Sequence, residues 1–107
     1  RAVSRRPGVI DTDMQARALV EARVDADRLL IATQSALDAD GDVLATDERT
    51  AIDALMRALR AVLDAGEGAA SVEAATAALA KGTEAFAAQR MNRGIRQALS
   101  GKNVSAL

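Results

Sequence analysis

The feature that most constrains the fold is a helical pattern that runs without Pro or Gly from about residue 13 to residue 39. Its small and apolar positions have the i, i+3, i+4, i+7 spacing of one buried helix face: Leu19, Ala22, Ala26, Leu29, Thr33, Ala36 and Leu37. Such a helix is about 40 Å long, against roughly 30 Å for each helical pattern that follows. Its leading part, around Met14 and Leu19, is therefore predicted to overhang as an apolar arm that another domain or a second copy must cover.

Composition places the chain in the all-α class. A chain of 107 residues is one small domain, and it carries 26 alanines against one Phe and no Trp or Tyr. Alanine is the strongest helix former, and β-branched residues are sparse, so no strand is predicted. The absence of Cys and His removes disulfides and the commonest metal ligands and general base. We therefore expect no catalysis and no bound metal or cofactor in this chain.

Two further helices follow the first. Gly41 is predicted to close the first helix in the left-handed conformation, Gly66 to close the second, and Thr46 to cap the second at its N-terminus. The second helix carries the clearest amphipathic stripe in the chain: Ile52, Leu55, Met56, Leu59, Val62 and Leu63. Ser71 is the predicted cap of the third helix, whose apolar positions are Val72, Ala75, Leu79, Phe86 and Ala87.

The C-terminal part of the pattern is less regular. Gly82 inside the third helix either permits a close helix crossing or is an exposed weak point. A short fourth helix is predicted over residues 93–100, ended by Gly101. Because the first connections are only a few residues long, consecutive helices should be antiparallel neighbours. The predicted fold is an antiparallel three-helix bundle with a long overhanging first helix and a short fourth helix.

Charge is distributed unevenly, with ten acids and three Arg in residues 11–48 but four bases and no acid in residues 89–107. Asp38, Asp40 and Asp42 suggest a calcium loop, but the positions that need Gly and Glu hold Val43 and Arg49. An Asp-rich connection between helices is the better interpretation. The basic segment has no interleaved aromatic residue to stack on bases, so we predict a solvated face rather than a nucleic-acid site. No apolar run is long enough to span a membrane.

Several segments together resemble the C-terminal helical lid of the DnaK-type heat-shock chaperones, and most closely the HscA branch that serves iron–sulfur cluster assembly. The likeness is carried by residues 13–19 (DMQARAL), 24–30 (VDADRLL), 36–40 (ALDAD) and 48–52 (ERTAI). Residues 86–91 (FAAQRM) and 95–99 (IRQAL) complete it. The resemblance covers residues 11–107. Residues 1–10, with Pro7 and Gly8, would then be the junction with, or end of, a preceding lid helix.

The resemblance implies that this chain controls the binding of a substrate peptide. A lid of this kind closes over the β-sandwich of the same chain that holds a substrate peptide, while ATP binds in a separate nucleotide-binding domain of the parent protein. Aligned through Leu29 and Leu30, the two carboxylates that latch such a lid fall on Asp13 and Asp27. The implied client is the iron–sulfur scaffold protein, with a J-type co-chaperone, in the bacterial cytoplasm. The alternative is a self-contained module that forms a homodimer through Met14 and Leu19 without a chaperone role.

Overall fold

The computed structural model describes the backbone of residues 2–106 and the side chains of residues 13–100. Within that part of the chain it contains helices and no strand, which confirms the all-α prediction. A one-turn 3-10 helix, Gly41–Val43, follows the first of the four α-helices. These are α1 (Ala2–Asp40), α2 (Thr46–Asp64), α3 (Ala69–Gly82) and α4 (Glu84–Ala106).

The core lies where α1, α2 and α3 meet. Its buried apolar side chains are Ala22, Ala26, Leu30, Ala36, Leu37, Ile52, Met56, Leu59, Leu63, Val72, Leu79 and Phe86. The predicted stripe of α2 is confirmed, since four of its six residues are buried and Leu55 and Val62 pack against the core. The chain's many alanines let α1 approach its neighbours closely, while α2 supplies the larger side chains. Ala87, predicted to be buried, is exposed.

Named contacts show where the helices meet. Arg23 in the middle of α1 donates a hydrogen bond from Nη1 to the carbonyl oxygen of Leu63 near the end of α2, at 3.1 Å. Leu55, earlier in α2, lies against Gly82 at the end of α3. Closer to the N-terminus of α1, Leu19 lines a groove together with Ala69, the first residue of α3. The end of α2 therefore lies beside the middle of α1, and the end of α3 lies beside the middle of α2.

The helix ends differ in part from the predicted caps. Gly66 closes α2 with a φ of 71°, as predicted. Gly41 does not adopt the left-handed conformation; it begins the 3-10 turn and accepts a hydrogen bond from the Leu44 N–H. Ala45, not Thr46, precedes α2, and its N–H donates to Oε1 of Glu48 at 2.8 Å. The Glu48 N–H, which a hydroxyl at the cap position could accept, donates instead to Oδ1 of Asp47 at 3.0 Å.

The third predicted helix is two helices in the structure. It begins at Ala69 after Gly68, so Ser71 lies within its first turn instead of capping it. It ends at Gly82, and Thr83 separates it from α4. The Thr83 hydroxyl donates to the carbonyl oxygens of Leu79 and Ala80 at 3.1 and 3.0 Å. This local bonding satisfies carbonyl groups at the end of α3, where the chain passes into α4.

The predicted fourth helix is too short at both ends. It was expected over residues 93–100, but α4 has 23 residues and continues through Gly101 to Ala106. The first helix is also longer than predicted, because it begins at Ala2 and passes through positions 7 and 8 without a break. The molecule measures 79 × 31 × 16 Å, and its radius of gyration is 20.0 Å. A compact chain of this length would have a radius of about 13 Å, so both long helices project from the core.

Gly82 marks a close approach between α3 and α2. A Cβ atom added at this position would overlap Cδ1 of Leu55. Of the two interpretations of Gly82 that the sequence left open, the close helix crossing is therefore the correct one. The absent side chain allows Leu55 to pack over the end of α3, next to the point where the chain turns into α4.

Candidate interaction surface on the long helix

The side of α1 that faces away from the core carries two carboxylates and three apolar side chains. At about 100° per residue, Asp13, Val20, Val24, Asp27 and Ile31 fall within an arc of about 60°. We call these five residues the outer face of α1. Both carboxylates are exposed, and Val20, Val24 and Ile31 are 61%, 40% and 67% exposed. Such a strip of apolar side chains between two acids is suited to docking against another protein surface.

The outer face is set by the same periodicity that builds the core. The buried residues Ala22, Ala26 and Thr33 lie on the opposite side of α1. Asp27 directly follows a fully buried residue, yet it is turned toward solvent. At 1.5 Å per residue, Asp13 and Asp27 are separated by about 21 Å along one side of a straight helix. They can therefore contact one partner surface at two separate points.

The two apolar residues predicted to form the overhanging arm have different surroundings. Met14 is 61% exposed, whereas Leu19 is partly buried and packs against the core. Leu19 also lines the apolar groove between α1 and the start of α3, together with Ala18 and Ala69. The part of α1 that extends beyond its neighbours thus ends before Leu19, and Met14 is the member of the pair that is available for contact.

A second polar feature joins α1 to α4. Asp40 accepts hydrogen bonds from Nε of Arg90 at 2.9 Å and from Nη1 of Arg93 at 3.2 Å. Asp42, in the 3-10 turn, is held by both terminal nitrogens of Arg93, each at 2.8 Å. We call Asp40, Asp42, Arg90 and Arg93 the ion cluster. Together with Phe86, which packs beside Ala36 of α1, it fixes the first half of α4 on the end of α1.

The electrostatics of the ion cluster favour its charged form. Hydrogen bonds from Arg90 and then Arg93 lower the pKa of Asp40, and the bonds from Arg93 lower the pKa of Asp42. In return, Asp42 and then Asp40 raise the pKa of Arg93. The guanidinium of Arg90 also lies 5.8 Å from the centre of the Phe86 ring, a cation–π contact. Asp40, Asp42 and Arg93 therefore remain ionised at neutral pH.

Sequence reasoning did not predict that these four residues pair with one another. It treated Asp40 and Asp42 as parts of an interhelical connection, and Arg90 and Arg93 as a solvated basic face. The signal that could have paired them was the excess of acids before residue 48 and of bases after residue 89. On the outer face of α1, Val24 and Ile31 were also missed, although their seven-residue separation places them on one side of the helix.

The described residues offer no sign of a metal site or a membrane span. No group of three or more His, Cys, Asp or Glu side chains converges within this part of the chain. No helix in it is both long and apolar enough to cross a membrane.

Comparison with known proteins gives consistent matches to one kind of chaperone. The chain is 83% identical over 95 residues to a "Chaperone protein HscA homolog" of Acidovorax ebreus, and 73% identical over 95 residues to that of Delftia acidovorans. The homolog of Burkholderia orbicola is 53% identical over 97 residues. The two 95-residue matches include 89% of this chain but only 15% of the relatives' length, in their C-terminal part. A search of protein-family models found no match.

Proposed function

We propose that this chain is the lid of the substrate-binding domain of an HscA-type chaperone, because most of its length is similar to the C-terminal part of such chaperones. In this role α1 lies across the β-sandwich of the same parent chain and covers a bound peptide. The observation that carries the proposal is the outer face of α1, with Asp13 and Asp27 about 21 Å apart on one exposed side of the helix. The family resemblance assigns latch carboxylates to these two positions.

The chemistry of the outer face suits a contact that must open and close. Val20, Val24 and Ile31 offer a narrow apolar strip, much smaller than the surface of a permanent interface. Each exposed carboxylate that pairs with a basic group on the sandwich would contribute on the order of 1 kcal/mol or less. Contacts of this size shift a two-state equilibrium several-fold without locking it. The lid can then be released when the conformation of the parent protein changes.

The wider role follows from the resemblance. We infer that the parent protein binds ATP in a separate domain, takes the iron–sulfur scaffold protein as its client and works with a J-type co-chaperone. This chain itself would contribute neither catalysis nor a cofactor site. It would act by controlling how long the peptide stays bound.

The test is an Asp27→Asn substitution in the full-length parent. Loss of the latch charge should speed peptide dissociation from the ADP-bound state several-fold, as measured by fluorescence anisotropy of a labelled peptide. Asp25→Asn is the matched control, because Asp25 is also exposed but lies about 160° round the helix from Asp27. The melting temperature of the isolated chain should not change with either substitution. Equal release rates for the Asp27→Asn and Asp25→Asn variants would argue against the latch.

A further inference from the structure

A polar pocket lies where α4 passes the 3-10 turn, apart from the outer face of α1. It has a volume of about 320 Å³ and is lined by Val43, Gln89, Asn92 and Arg96. The last three stand at positions i, i+3 and i+7 of α4, so they share one side of that helix. We call these four residues the polar pocket of α4.

Gln89 contributes an oxygen atom that has no hydrogen-bond partner. Its side-chain oxygen, Oε1, is shielded from solvent, and it is the only shielded side-chain polar atom within the described residues that lacks a partner. Such a group lowers stability for as long as it stays unpaired. Because the terminal torsion of a glutamine side chain turns readily, this oxygen can rotate into the pocket and accept a hydrogen bond from a donor there.

Arg96 brings a positive charge that no described side chain neutralises. The other two arginines of α4 pair with carboxylates of the ion cluster, whereas Arg96 takes part in no ion pair among the described side chains. The sequence from residue 85 to residue 107 contains no Asp or Glu. Asp42, which precedes the pocket residue Val43, is already held by Arg93. The pocket therefore favours an anionic group from outside this chain.

We propose that the polar pocket of α4 binds an acidic segment of another protein in an extended conformation. The side-chain amides of Gln89 and Asn92 offer both donors and acceptors, as a peptide backbone does. The guanidinium of Arg96 can bind a carboxylate with two parallel hydrogen bonds. Gln89 and Arg96 are about 10 Å apart along the helix axis, which is the length of about three residues of extended chain. The preferred segment therefore carries Asp or Glu about three residues from the backbone N–H that reaches Gln89.

Nucleic acid fits the pocket less well than a peptide does. No aromatic side chain lines the pocket to stack on a base. A phosphate diester offers only acceptors, so it would leave Oε1 of Gln89 unpaired. The peptide contact is small, and we expect dissociation constants of about 0.1–1 mM, in the range of weak transient binding. It leaves the outer face of α1 free and does not depend on the lid function.

The first test titrates the isotopically labelled 107-residue chain with a blocked alanine hexapeptide that has glutamate at its fourth position. The side-chain amide signals of Gln89 and Asn92 should shift during the titration. The same peptide with glutamine at that position should bind at least about five-fold more weakly, because it offers no carboxylate to Arg96. Equal binding of the two peptides overturns the proposal. The same shifts produced by inorganic phosphate alone, or tighter binding of a uridine hexanucleotide, also overturn it.

The second test replaces residues of the pocket. Arg96→Gln should weaken binding of the glutamate peptide at least about five-fold and abolish its advantage over the glutamine peptide. Arg57→Gln is the matched control, because Arg57 is an exposed arginine on α2, and it should leave binding unchanged. Equal effects of these two substitutions overturn the assignment of the pocket.

Gln89→Leu separates binding from structure. It should weaken peptide binding about three-fold or more, because the hydrogen bond to the peptide backbone is lost. It should not lower the midpoint of urea unfolding, since leucine has a similar size and removes a shielded oxygen that has no partner in the unbound chain. A Gln89→Leu variant that binds the peptide as tightly as the parent chain, or that is less stable than the parent chain, overturns the role of Gln89.

Discussion

Arg93 holds Asp42 with two parallel hydrogen bonds, from Nη1 to Oδ1 and from Nη2 to Oδ2, each 2.8 Å long. This forked geometry is the strongest arrangement that an arginine and a carboxylate can make. It joins residues 51 positions apart and ties α4 to the turn that ends α1. Since the helix breaks at Thr83, the direction of α4 depends on this contact, on Asp40 and on the packing of Phe86.

The position of α4 should therefore depend on pH and salt. The pKa values of Asp40 and Asp42 are lowered from 3.8 in the folded chain. Their contribution is fully present above the ordinary carboxyl pKa and is lost as the pH falls through the lower folded value. Labels on cysteines introduced at the exposed positions Ala39 and Gln97 should report one distance at pH 7. A broad distribution is expected once the pH is low enough to protonate both carboxyls, or when salt screens the cluster.

The same distance measurement compares the loss of Arg93 with the loss of Arg96, a neighbouring arginine on α4. Arg93→Gln should broaden the distance distribution at pH 7, because it removes the bonds to both Asp40 and Asp42. Arg96→Gln, a change to an exposed arginine on the same helix, should leave it narrow. If the two variants behave alike, the ion cluster does not set the direction of α4.

Replacement of Gly82 by alanine tests the close approach of α3 to α2. Gly→Ala inside a helix normally stabilises by about 0.5–1 kcal/mol. At Gly82 the new methyl group would overlap Leu55, so we expect no gain or a loss of about 1 kcal/mol. Gly94→Ala is the matched control, because a Cβ there has no neighbouring atom within 4 Å, and it should give the normal gain. Urea unfolding followed by circular dichroism measures both, and a gain at Gly82 equal to that at Gly94 would contradict the overlap.

Truncation of Leu59 tests the core. Leu59 is fully buried on α2, so Leu59→Ala should lower the free energy of unfolding by about 2–5 kcal/mol. Ile31→Ala also removes a large aliphatic side chain, but Ile31 is 67% exposed and its loss should cost about 0.5 kcal/mol or less. Cooperative thermal and urea unfolding curves give both values. A cost below about 0.5 kcal/mol for Leu59 would mean that the α2 stripe does not form the core.

Arg23 should stabilise the end of α2. Its Nη1 donates to the carbonyl oxygen of Leu63, one of the last carbonyls of that helix, where a positive charge also favours the helix dipole. Arg23→Gln should therefore cost about 0.5–1.5 kcal/mol in the free energy of unfolding. Arg28→Gln, at an exposed position of the same helix, should be close to neutral. If the two changes lower the free energy of unfolding equally, the hydrogen bond to Leu63 does not contribute to stability.

Much of the fold could be predicted because it follows from local patterns in the sequence. The α2 stripe from Ile52 to Leu63, the core face of α1 and the closure of α2 by Gly66 each follow from residues within a few turns of one another. The outer face of α1 is also a consequence of periodicity, since positions opposite a buried stripe must face away from it. The two carboxylates assigned by family resemblance lie on that face, and their latch role stays a prediction.

Other features were decided only when the helices packed. The helices α2 and α3 also begin after Ala45 and Gly68, not at the predicted caps Thr46 and Ser71. The break at Thr83 and the close approach of Leu55 to Gly82 depend on where α3 meets α2. The ion cluster joins side chains about fifty residues apart. Local periodicity decides which residues form helices, but contacts between distant side chains decide where those helices begin, end and point.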